Sequence, residues 1–246
     1  TDMPIGWAVV PGNGVESTPG GGNGDIVTAT SASQLDNYAG SSQPLVIRVE
    51  GSITGSGSIN VASNKTIIGV GSNAKLTNLE LKMSNVSNII IRNLTITGAV
   101  DGISTRRTTH VWIDHCDISN CGDGLIDITN QGDLHTVSWT HLSNHHKTML
   151  INSGTGKPED AGKLNTTLHH NWWDGSDTRN PRVGYAKVHI FNCLYNNNDY
   201  CVGLHSECRV YIEKNYFNNT NDPVRHMYTT YNTSPIYGFN ESMDNI

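Results

Sequence analysis

Between Val111 and Thr129 the chain reads VWIDHCDISNCGDGLIDIT: four aspartates, one histidine and two cysteines, with no lysine or arginine to balance them. Carboxylates brought this close repel one another unless something neutralises them. Asp101 precedes Asp123 by 22 residues and Asp127 follows four later, while Lys147 stands 24 residues beyond Asp123 and Arg179 another 32 beyond Lys147. Any single aspartate would be at home in a turn. Three acids with two cations at related spacings point instead to a site. The natural counter-charge for clustered carboxylates is a hard cation with oxygen ligands, and Ca²⁺ tolerates an irregular, half-open cage.

Residues so far apart in sequence converge only if a repeat positions them. Six blocks align: NIIIRN ending at Asn93, VWIDHC at Cys116, HTVSWT at Thr140, TTLHHN at Asn171, VHIFNC at Cys193 and VYIEKN at Asn215, with NKTIIG ending at Gly69 as a seventh. Each alternates or runs apolar over the length of a strand and none is long enough for a helix. The long step before Asn171 contains NSGTGKPEDAGK, which reads as an inserted loop. A strand-bearing repeat of about 22 residues is the signature of a solenoid. A β-sandwich has no reason to keep a small or polar residue at one phase of a fixed period. The fold class expected is therefore all-β, a parallel β-helix, with residues 1–246 as one domain. The block ends form a column in which asparagine amides bond from coil to coil. Seven or eight residues past that column fall Asp101, Asp123, Lys147 and Arg179, a line of charged side chains on one exterior face.

Composition limits the partners. Charged residues make up 15% of the 246, against about 25% in an average domain. The net charge of −6 excludes the phosphate-neutralising surface that nucleic acid demands. No apolar run approaches the ~20 residues of a membrane-spanning helix. A monomer is expected. Asn-x-Ser/Thr sequons occur at Asn64, Asn85, Asn93, Asn165, Asn218, Asn232 and Asn240, and Thr1 would suit a processed terminus, so a secreted protein is expected. Asp114 and His115 are expected to form a structural hydrogen-bonded pair near the acids. The adjacent pairs His145–His146 and His169–His170 should point to opposite faces of a strand. Cys116 and Cys193 lie three coils apart, too far for a disulfide, whereas Cys201 and Cys208 could close a short loop.

The stretches VWIDHCDIS, GLIDIT, TVSWTHLSNHHKTMLI, LHHNWWDGSDTRNPRVGYAKVHIFNCLY and NYFNNTNDPV resemble the pectate lyases of polysaccharide lyase family 1 over almost the whole chain. The resemblance implies a right-handed parallel β-helix and secreted, Ca²⁺-dependent β-elimination on α-1,4-polygalacturonate, the substrate component of pectin. It implies Asp101, Asp123 and Asp127 as Ca²⁺ ligands, Lys147 as a substrate-binding lysine and Arg179 as the catalytic base. The second arginine of the family's R-x-P-x-x-R motif falls on Gly184, and a lysine often found after the last aspartate is here Thr129. Arg182 is the candidate to stand in as a substrate contact, although its place in the strand alternation puts it on the opposite face. These departures keep two alternatives open: a pectin lyase acting on methyl-esterified polymer, and a non-catalytic pectin-binding β-helix.

Overall fold

The computed structural model describes residues 3–154, 156–227 and 242–243; the sequons at Asn232 and Asn240 lie outside them. Every strand pairing in register is parallel, and each coil contributes strands to three walls. The first wall includes Ser87–Arg92, Thr109–Asp114, Asp133–Ser138, Thr166–His169, Lys187–Phe191 and Arg209–Glu213. The second holds the three-residue strands Thr95–Thr97, Asp117–Ser119, His141–Ser143, Trp172–Asp174, Leu194–Asn196 and Tyr216–Asn218. These two walls belong to one sheet, joined through the long strand Lys65–Thr77. The third wall is a separate sheet containing Glu80–Ser84, Ile103–Arg106, Gly124–Thr129, Lys147–Ile151, Arg182–Val183, Tyr200–Leu204 and Asp222–His226. The expected parallel β-helix is the architecture found.

Alternation along each strand sends apolar side chains inward, and register stacks them coil on coil. Ile91, Ile113, Val137, Leu168, Ile190 and Ile212 form one such file, all at most 1% exposed. Trp173 and Tyr195 stack on the second wall at 4.7 Å between ring centroids. Ser31 caps the helix Ala32–Ala39 by accepting from Gln34 N, and Leu35 and Ala39 bury against the first coils. A solenoid's open end exposes its core, and this helix shields it. The strand repeat carried no sign of it.

The column forms, with one correction. Cys116, Thr140, Asn171, Cys193 and Asn215 share a register, but Asn93 and Gly69 align with His115, one position early. Asn171 Oδ1 accepts from Thr140 N at 3.0 Å while its Nδ2 donates to Val137 O at 2.9 Å, and Asn215 repeats the pattern on Cys193 N and Ile190 O. The amides thus satisfy turn groups of the preceding coil. The residue before the column is left-handed in each coil from Asn93 to Lys214, which turns the chain sharply between the first two walls. His115, Trp139 and His170 occupy this position and stack along the solenoid. The same left-handed turn brings the His169 and His170 rings into contact (Nδ1 to Nδ1, 2.9 Å), against the expectation of opposite faces. All five cysteines are free, including Cys201 and Cys208, since the extended strand Tyr200–Leu204 carries the chain away from Cys201 before Cys208 is reached.

Candidate active site

The acids sit where the second wall turns into the third. Thr97, Ser119 and Ser143 are in register, as are Ile103, Ile126 and Met149. The path between them is six residues, then seven, then six. The middle coil therefore carries one extra residue at its turn. Asp101, Gly124 and Lys147 share a row, and Asp123 stands one position ahead of it in the enlarged turn, its N–H bonded to Val100 O at 2.7 Å. From there Asp123 Oδ1 pairs with Lys147 Nζ at 3.0 Å, with both side chains solvent-exposed. His145 Nε2 bonds Asp123 O and so braces the same turn.

Gly124 is the hinge of the cluster. Its N–H donates to Asp101 Oδ1 at 2.8 Å, and a Cβ on it would lie 2.5 Å from Asp127 Oδ1. Two carboxylates thus close over the one residue that offers no side chain. Burial raises the Asp127 carboxyl to about 7, reinforced by the Asp101 and Asp123 carboxylates and opposed by Arg179. Burial also raises Asp101, against its bond to Gly124 N–H, with Glu80 and Asp123 adding to the rise. Glu80 is an acid that the sequence reading missed. It is buried and accepts from Ser58 Oγ at 2.6 Å and from Ser104 Oγ. It stands in register with Gly102, and the even ladder, counted seven or eight residues past Gly69, falls on Leu76 or Thr77 and passes it by.

The cations occupy the same face. Asp127, Leu150 and Arg182 are in register, so Arg182 stands two coils from Asp127 on the outward side, with Val183 beside it buried in the core. This corrects the expectation of an opposite face. The reason is a shift of one residue between Thr178, which pairs with Lys147, and Arg182, which pairs with Leu150. In between lie Arg179, left-handed at φ 62, and the cis Asn180–Pro181 bond. Burial lowers the Arg182 guanidinium, and the neighbouring Arg179 charge adds to this. Just past the strand is Gly184, and a Cβ there would meet the Asn152 amide at 2.5–3.0 Å. Asn152 is fully buried and its Oδ1 accepts from Gly154 N at 2.8 Å. The Asn152 amide fills the space into which a side chain at position 184 would grow.

The Asp114–His115 pair forms at 2.6 Å, with Arg92 on the same carboxylate at 2.8 Å, but on the first wall and not beside the third-wall acids. Of the two tryptophans considered for a cleft, Trp173 is core and Trp172 lies 39% exposed on His141. Among the described residues no three acids, histidines or cysteines stand close enough together to hold a metal ion. The donors nonetheless fit a hard cation. They are carboxylate oxygens that meet at Gly124, and burial first and then the neighbouring carboxylates raise both Asp127 and Asp101.

A family model described as pectate lyase matches residues 3–245. The chain is 38% identical over 232 residues to a pectate lyase of Emericella nidulans, covering 89% of this chain and 70% of the relative. It is 35% identical over 211 residues to a pectate trisaccharide-lyase of a Thermotoga species, covering 79% and 58%. Among solved structures, a pectate lyase from Bacillus sp. N165 in complex with trigalacturonate superposes with a TM-score of 0.88 at 30% identity, covering 99% of this chain and 86% of that one. The cedar pollen allergen jun a 1 shares the fold at a TM-score of 0.76 and 24% identity, over 98% and 85% of the two chains.

Proposed function

The chain belongs to the pectate lyase family, and from that premise we propose that it is a secreted, Ca²⁺-dependent enzyme in which Arg179 is the base, Lys147 and Arg182 bind substrate, and Asp101, Asp123 and Asp127 hold the metal. The observation that carries the reading is the gathering of Asp101 and Asp127 at Gly124, with the charge of Arg179, two coils on, acting on Asp127.

Bound Ca²⁺ would supply Lewis acidity, polarising a galacturonate carboxylate and acidifying the adjacent C5 proton. The chain's own residues do the rest. Arg179, neutral at the moment of transfer, accepts the C5 proton. The electron pair forms the C4–C5 double bond, the C4–oxygen bond breaks to release an unsaturated end, and the departing oxygen takes a proton from water. A guanidinium is a reluctant base. It gives up its proton only at high pH, so an alkaline optimum is expected. Lys147 is held by Asp123 and becomes available to a substrate carboxylate when Asp123 is claimed by a cation. The retained acids set this reading ahead of action on methyl-esterified pectin.

The test follows absorbance of unsaturated product on polygalacturonate and on highly esterified pectin, with and without chelator. Turnover on polygalacturonate should vanish in chelator, and Asp127→Asn should weaken Ca²⁺ binding in a direct titration. Full activity in excess chelator would overturn the metal assignment.

A further inference from the structure

On the first wall, away from the acids, lies a groove of about 730 Å³. One bank is the N-terminal segment, tied to the wall by Trp7 N–H to Thr167 Oγ1 at 3.1 Å, Ala8 N–H to Thr136 Oγ1 at 3.2 Å and Thr136 Oγ1 to Ile5 O at 2.7 Å. The floor is the outer face of Lys187–Phe191 and Arg209–Glu213. Trp7 and Tyr211 line it together with His189, and all three are partly exposed. Lys187 and Arg209 stand at its edge. They are register partners one coil apart, about 4.8 Å along the solenoid. Like charges directly opposite each other on neighbouring strands destabilise a sheet. Both are exposed, and neither has a carboxylate partner among the described residues. The nearest acids are otherwise placed. Glu213 accepts from His189 at 2.8 Å and from Tyr211 Oη at 3.3 Å, and Glu207 shares an adjoining hollow with the two cations without pairing with either.

We propose that this groove is a second saccharide-binding site, distinct from the catalytic face, that takes an oligomer of uronic acid. Aromatic rings beside a stacked pair of free cations fit a sugar that presents C–H faces and carboxylates along one chain. A neutral sugar would leave the cation pair unanswered, and two cations on a chain of net charge −6 do not make a nucleic-acid surface. The site would hold the protein on polymeric substrate while the acids work on another segment. A gain of this kind through linked sites needs no new contact at the catalytic face. The choice of ligand rests on the reading that the chain acts on polygalacturonate; the site itself does not depend on catalysis.

The experiment is electrophoresis through gels with and without embedded polygalacturonate, in chelator. The native chain is compared with Lys187→Glu/Arg209→Glu and with a control of equal net charge, Lys75→Glu/Arg107→Glu. Retardation of the native chain should fall severalfold in the groove variant and persist in the control. The initial rate on soluble trigalacturonate should stay within twofold and the melting temperature should not move. Trp7→Ala should give a partial loss. Absence of retardation in the native chain, equal loss in the control, or equal retardation by neutral galactan would each overturn the site. Loss of retardation confined to the groove variant supports it even if neither protein cleaves polygalacturonate, which separates its failure from failure of the lyase reading.

Discussion

Arg179 shows how much a single residue can hold that its letter does not reveal. Its backbone is left-handed, a conformation that costs a non-glycine residue about 1–2 kcal/mol, and Met149 N bonds its carbonyl at 2.7 Å. Lysine adopts that backbone as easily as arginine but lacks the planar fork. Arg179→Lys should therefore abolish turnover with the melting temperature unchanged; retention of most activity would show that Arg179 is not the base. Lys147 offers an opposite sign. It now competes with any cation for Asp123, so Lys147→Met should tighten Ca²⁺ binding while lowering turnover. The pair is exposed and worth at most about 1 kcal/mol, so the gain in affinity should be a few-fold. A calcium titration that weakens in this variant would sink the competition argument.

At the scale of strands and turns, the site depends on two local departures from even coiling. One is the extra residue before Gly124, which swings Asp123 out to Lys147. The other is the shift around Asn180–Pro181 that puts Arg182 outward in the row of Asp127. Gly184 lies just past the second. On sequence grounds an arginine there should restore a lost contact to a polyanion. The packing gives a different outcome, because the Asn152 amide already fills the space and is bonded to Gly154. Gly184→Arg should lower stability by about 1–3 kcal/mol, the usual cost of overpacking. Adding Asn152→Ala should recover much of that loss. Denaturation midpoints of the single and double variants check this, and a single variant as stable as the native chain would show that Asn152 yields freely.

Across the whole molecule, stability should fall in mild acid. Burial lowers His135 to about 3, and lowers His169 and His205 to about 4, with neighbouring basic groups adding to the lowering of each. A histidine depressed in the fold binds its proton more readily when unfolded. Its contribution is complete above the ordinary value near 6.5 and is lost as pH falls towards the folded value. Each such group costs about 1.4 kcal/mol per pH unit over that window. The raised Asp127 works the other way between about 4 and 7, so the three histidines should prevail. Urea midpoints should drop steadily from pH 6.5 to 4.5, and His135→Gln should flatten the slope. A midpoint independent of pH over this range would contradict the account.

What the sequence determined by itself was periodic. Repeated apolar blocks specify a stack of coils, because burying one file of side chains forces every coil into the same phase; the asparagine column, the outward acids Asp101, Asp123 and Asp127 and the basic Lys147 and Arg179 were legible on that basis. Only the tertiary structure decided what breaks the period. The left-handed turns before the column, the extra residue at Asp123, the outward Arg182, the buried Glu80 and the Asn152 amide over Gly184 all arise where neighbouring coils press on one another. Such displacements are one residue or a few ångströms, below what spacing along a chain can resolve, and at a site made of charges they set which group faces which.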